Sequence, residues 1–167
     1  MEAFNKKSVA VIAKNAEWSF LYARDVLHAP FPEGEATIAT DASYSFYYAY
    51  NVLKAPFPLG EAAIATSAYY SLYYARNILK APFPLGEAEL ATDSAYSFGY
   101  AIDVLKSRFP KGEAAIATNA QYSYEYARDI LKAPFRLGEK KISGIEVIHK
   151  KYRKLFPKKK KPAFFKY

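Results

Sequence analysis

The chain has 167 residues, 51% hydrophobic and 17% aromatic, with 16 Tyr and no Cys. That composition fits one folded domain and excludes disorder throughout, and the missing Cys excludes disulfides, thiolate zinc sites and cysteine nucleophiles. The net charge of +8 sits at one end: residues 1–137 hold 13 Lys and Arg against 14 Asp and Glu, while residues 138–167 hold 11 against 2, so attraction to polyanions is expected from the end of the chain.

Residues 1–7 read as a short lead. The apolar run Val9–Ala13 is too short for a signal-peptide core, and no run approaches the roughly 18 apolar residues a membrane helix needs. The chain therefore reads as soluble, without a classical secretion signal or a membrane span, and the lack of Cys fits a reducing compartment.

From residue 8 the sequence repeats. Ala-Pro-Phe-Pro stands at 29–32, 55–58 and 81–84, with variants at 107–110 and 133–136, at a constant spacing of 26. Gly34, Gly60, Gly86, Gly112 and Gly138 keep the same register, each followed by Glu. Residues 8–137 thus form five units, and 138–156 form a degenerate sixth that retains Ile142 and Tyr152. A fixed period of this length signals an array in which one unit cannot bury its apolar face alone.

Within a unit the prolines interrupt any preceding helix, and Gly60-Glu61 opens a short one, with Glu61 at the positive end of the dipole. Asn15, Asp41, Ser67, Asp93 and Asn119 are expected N-caps of a longer helix, for example over 42–54. His28, Lys54, Lys80, Lys106 and Lys132 fall at its carbonyl end, where a cation is favoured. Apolar residues recur at i, i+4, i+8 (Trp18, Tyr22, Val26), without strand alternation. The expected fold is all-α: tandem helix-turn-helix repeats stacked as a short α-solenoid, a right-handed superhelix or a compact array, with a basic C-terminal capping helix and tail.

On a helical wheel Ser19, Tyr22, Ala23, Val26 and Leu27 share the side that is nearly uniform between units. We read the Tyr series (22, 48, 74, 100, 126, 152) as core rather than as a ladder for stacking bases, the Ser series as close packing rather than nucleophiles, and Phe31, Phe57, Phe83, Phe109 and Phe135 as plugs between units. The opposite stripe varies. In the second unit it carries Ser43, Tyr47, Tyr50 and Lys54, and in the third Tyr69, Tyr73, Arg76 and Lys80. Tyr, Arg and Lys together are a hot-spot composition, so Tyr47, Tyr50, Lys54, Tyr69, Tyr73, Arg76 and Lys80 are the candidate protein-binding residues; an ordinary solvated face is the competing reading. Arg24, Arg76 and Arg128 occur in alternate units, and nothing in the sequence explains that alternation.

The end segment concentrates cations. Residues 142–156 fit a further helix with Ile145, Ile148, Tyr152 and Phe156 on one side. Lys150, Lys151, Arg153, Lys154, Lys158, Lys159, Lys160 and Lys161 are candidates for neutralising phosphates of DNA or RNA, with Phe164 and Phe165 for stacking on bases. A solubilising terminus, an acidic protein groove and an anionic membrane surface are the alternatives. No metalloprotease, serine-hydrolase, phosphate-loop, dinucleotide or calcium-loop motif is present, and His28 and His149 lack partners at ligand spacing. Carboxylates are spread one unit at a time instead of converging, so neither an enzyme, a cofactor nor a metal site is expected.

The unit GEAAIATSAYYSLYYARNILKAPFP at 60–84 resembles short helical repeats in proteins of tailed bacteriophages and of some bacteria. Its E-x-x-I, Y-A-R-x-[IV]-L-K and [RP]-F-P-x-G-E elements carry the likeness, which covers about residues 8–139 and leaves out the tail. Arg108 and Arg136 depart from the Ala-Pro-Phe-Pro pattern. The resemblance implies a host or phage protein partner, handling of nucleic acid, or a structural place in a virion, and the cytoplasm of an infected cell or the particle itself as location. It supplies no catalytic residues. The reading that combines these observations is a non-catalytic interaction scaffold with an electrostatically attaching tail.

Overall fold

A computed structural model describes residues 6–157. All regular structure there is helical, and among the described residues there is no strand. The chain opens with α1 (Lys6–Ile12), then alternates long and short helices at the 26-residue period. The long helices begin as α2 (Ala16–Leu21), α4 (Ala42–Tyr47), α6 (Ala68–Tyr74), α8 (Ser94–Gly99) and α10 (Ala120–Glu125). The short ones are α3 (Pro32–Ile38), α5 (Glu61–Ile64), α7 (Glu87–Leu90), α9 (Glu113–Ile116) and α11 (Glu139–Ser143), and α12 (Glu146–Leu155) closes the described chain.

Local chemistry sets these boundaries. Phe57 is held extended (φ −121°, ψ 79°) by the following Pro58, which starts a tight turn into α5. All five expected caps are extended and accept from backbone N–H groups of their helices; the Asp41 carboxylate takes those of Ser43 (2.8 Å) and Tyr44 (2.9 Å). Burial raises the Asp41 pKa, but bonds from the Ser43 hydroxyl and the two amides outweigh it, so the group ends below the usual carboxylate range.

The long helix departs from expectation in its second half. It was expected to run as one α-helix through Lys54, yet Tyr48–Leu53 widens to i→i+5 bonding and Lys54 lies beyond it in the left-handed region (φ 51°). His28, Lys80, Lys106 and Lys132 repeat this at φ 51–52°. The wider turn lets the Ala49 carbonyl accept from both Lys54 and Ala55 (3.3 Å), the last donors before Pro56, which has none. Val26 is 44% and Leu27 39% exposed in the first unit, whereas their counterparts Val52, Leu53, Ile78, Leu79, Val104, Leu105, Ile130 and Leu131 are half-buried and pack against the core, as expected of the uniform face.

The other uniform residues are buried. The serines and alanines of that face are closed to solvent, as are Tyr48, Tyr74, Tyr100 and Tyr126, while Tyr22 in the first unit is half-buried. Each serine hydroxyl donates to the carbonyl that ends the preceding short helix, as Ser45 does to Ile38 at 3.0 Å. The following glycine sits against that serine: a Cβ on Gly60 would lie 2.6 Å from Ser45 Oγ and 2.5 Å from Phe57 Cδ1. Phe31, Phe57, Phe83, Phe109 and Phe135 are buried, each edge-on to a Tyr of its own unit.

Contacts run from neighbour to neighbour: α2 with α4, α4 with α6, α6 with α8, α8 with α10, α10 with α12, and each long helix with the short helix after it. The last unit is shortened. Phe156 folds back onto Tyr152 (centroids 5.1 Å, 63°), with backbone angles (−126°, 72°) close to those of Phe57, and so takes the plug position without the widened turn. Ile145, expected on the same side, is 47% exposed because it lies at the cap of α12, outside the packed face.

Candidate interaction surfaces

The repeated tyrosine is fully engaged inside the fold. Its hydroxyl accepts the N–H of the preceding plug and donates to the glutamate after it: Phe31, Tyr48 and Glu35 (2.8 and 2.8 Å) and Phe109, Tyr126 and Glu113 (2.9 and 3.0 Å) are two of five such triads. Burial, opposed by the bond accepted from the plug's N–H and aided by the neighbouring glutamate, raises the pKa of Tyr100, Tyr126 and Tyr152 to about 12, and pushes Tyr48 and Tyr74 further up. These rings are structural bridges between successive connections and offer no face to a ligand.

The variable stripe is at the surface, and the fold divides it in two. Tyr47 is 38%, Tyr50 52% and Tyr69 41% exposed, Tyr73 and Arg76 are half-buried, and Lys54 and Lys80 are exposed. The rings touch one another. Tyr69 lies 4.5 Å from Tyr73 and 5.0 Å from Tyr70, Tyr70 lies 6.1 Å from Tyr47 and 5.5 Å from Phe46, and Phe46 stacks on Tyr50 at 5.8 Å. The Arg76 guanidinium sits 4.5 Å over the Tyr73 ring and donates to Asp103 of the next unit at 3.0 Å. The result is an aromatic patch across the second and third units, held by offset and edge-on contacts.

Sequence reasoning missed Phe46 and Tyr70, which support the patch from below, and Asp103, which orients Arg76. The i, i+4 pair Phe46–Tyr50 was a readable signal; the Tyr47–Tyr70 contact, between units, had none. In three units the residue at the position of Arg24 lies against the ring one turn earlier. Arg24 covers Phe20 (4.9 Å), Arg128 covers Tyr124 (5.2 Å), and Tyr50 covers Phe46 in the unit between. In the third unit Leu72 takes the ring's place and Arg76 lies over Tyr73 instead, and in the fourth Ile102 follows Phe98, so the alternation as a whole has no structural explanation.

Lys54 and Lys80 belong to a different surface. They stand past the helix ends on an edge with His28, Lys106 and Lys132. Comparison of the chain with protein-family models, with curated proteins and with solved structures finds no match. The surfaces are therefore argued from their own geometry.

At the other end of the array, Lys150, Lys151, Arg153 and Lys154 are all exposed on α12. Lys158, Lys159, Lys160, Lys161, Phe164 and Phe165 lie outside the described residues. A cleft of about 430 Å³ beside α12 is lined by Lys140, His149, Arg153, Tyr152 and Phe156 among others. Among the described residues no cluster of three or more His, Cys, Asp or Glu could hold a metal, and no helix is long and apolar enough to cross a membrane.

Proposed function

We propose that the chain is a non-catalytic interaction scaffold. Its units form a short α-solenoid closed by the basic helix α12, and the patch of Tyr47, Tyr50, Tyr69, Tyr73 and Arg76 binds a protein partner of phage or host. The supporting observation is the ring-to-ring packing of that patch. Aromatic side chains already fixed against one another lose little freedom on binding, and Arg76 is held by Tyr73 and Asp103 before any partner arrives. Affinity capture from bacterial lysate, comparing the parent with a Tyr47→Ala, Tyr73→Ala, Arg76→Ala variant, tests this. Loss of the captured partners supports the patch, and retrieval of the same partners by the variant rules it out.

The second reading is nucleic-acid binding through the C-terminal end. Four exposed cations on α12 continuous with Lys158–Lys161 favour it. A steep salt dependence of DNA or RNA binding that falls when the chain is ended at Pro157, and falls further when Lys150, Lys151, Arg153 and Lys154 are also changed to Gln, supports this reading; absence of binding at low salt removes it.

A further inference from the structure

The five residues at the helix ends are unusual in conformation. Each is non-glycine, and each lies at φ 51–52°. A left-handed residue closing a helix is ordinarily glycine, because a Cβ there approaches the following carbonyl oxygen. Attraction to the helix dipole accounts for a cation near the carbonyl end, but a lysine within the last turn would supply it without a left-handed backbone. The position thus carries a lysine where glycine would be relaxed, and residues held in this region cluster at functional sites.

Charge pairing along this edge is one-sided. Asp25, Asp103 and Asp129 are each engaged by an arginine (Arg24, Arg76 and Arg128) at 2.6–3.0 Å. Among the described residues no ion pair engages Lys54, Lys80, Lys106 or Lys132. The acids of the edge are neutralised, and the lysines are left for something else.

Between successive helix ends lie recurring notches. One of about 210 Å³ has His28 and Lys54 on its flanks, the next, also about 210 Å³, has Lys54 and Lys80, and a third of about 330 Å³ has Lys80 and Lys106. Lys54 and Lys80 wall the second and Lys80 and Lys106 the third, each pair from neighbouring units; the first two notches add the amides of Asn51 and Asn77, and the third also holds the Asp103 carboxylate, paired with Arg76. Tyr50, with its ring 52% exposed, stands at the Lys54–Lys80 notch.

We propose that this edge, centred on Lys54, Lys80 and Lys106, is a track for the phosphate backbone of a single-stranded nucleic acid. The strand lays one phosphate in each notch. Lysines repeated once per unit, with the exposed Tyr50 at the notch between Lys54 and Lys80, suit a chain that carries both phosphates and bases, and a flexible single strand adjusts to the spacing between units. This goes beyond the scaffold reading, shares only Tyr50 with the aromatic patch, does not involve the C-terminal tail, and assigns Lys54 and Lys80 to the edge instead of the patch.

The test uses the full-length chain with its tail intact. Binding of a fluorescent oligothymidylate is measured against salt for the parent and for a Lys54→Gly, Lys80→Gly, Lys106→Gly variant. Glycine accepts the left-handed backbone, so the fold is retained and Tm does not fall. Losing three phosphate contacts lowers the slope of log K against log salt by about 2, at roughly 0.7 per contact on a single strand. A control variant, Lys6→Gln, Lys7→Gln, Lys14→Gln, removes the same charge elsewhere and keeps the parental slope. The proposal is overturned by an unchanged slope in the glycine variant, by an equal fall in the control, or by no binding at low salt. It is also overturned if polyglutamate of equal charge competes as well as the oligonucleotide, which would make the occupant an acidic polypeptide.

Discussion

The backbone N–H of Phe57 and the phenol oxygen of Tyr74 are 2.8 Å apart across 17 residues of chain. The same hydroxyl donates to Glu61 at 3.0 Å, so one group satisfies the connection before its helix and anchors the short helix after that connection. Tyr74→Phe keeps the ring against Phe83 and removes only the oxygen, leaving a buried N–H without a partner. The expected loss is about 1–3 kcal/mol in urea denaturation. Tyr69→Phe, on the exposed patch, is the comparison and stays within about 0.5 kcal/mol of the parent. Equal losses in the two variants would show that the Tyr74 hydroxyl contributes nothing of its own.

Close approach makes Gly60 irreplaceable in a way that Gly144 is not. A Cβ at Gly60 meets Phe57 and Ser45 at 2.5 and 2.6 Å, whereas at Gly144 the nearest atom is the Lys141 carbonyl oxygen at 3.4 Å. Gly60→Ala is expected to cost about 1–3 kcal/mol through overpacking, and Gly144→Ala to be near neutral. Thermal melts of the two variants check the contrast, and a neutral Gly60→Ala would mean that this contact between units is loose.

Alkaline pH should unfold the chain through its buried tyrosines. Their folded pKa, about 12 for Tyr100, Tyr126 and Tyr152, lies above the ordinary value of 10.0. A raised folded pKa means that the stabilisation is complete below pH 10 and is lost as pH rises towards 12 and beyond. Ultraviolet titration is therefore expected to show Tyr100, Tyr126 and Tyr152 ionising together with unfolding followed by circular dichroism. Ionisation of every tyrosine near pH 10 with helix retained would contradict the buried triads.

The residues that were legible in the sequence act within a few positions of themselves. Pro58 fixes its own φ and restricts Phe57, Asp41 caps amides two and three residues on, and the 26-residue register of Gly, Tyr and Phe marks each unit's share of the core. Helix order, the five caps and the burial of the tyrosines and phenylalanines follow from such short-range constraints together with apolar periodicity. The tertiary structure alone decided the widened helix ends, the left-handed lysines and the joining of Tyr47 to Tyr70. Each of these depends on where a neighbouring unit or connection sits. Hydrogen-bond closure before a proline and ring contact between units are set by the packing of whole helices, which a one-dimensional pattern does not encode.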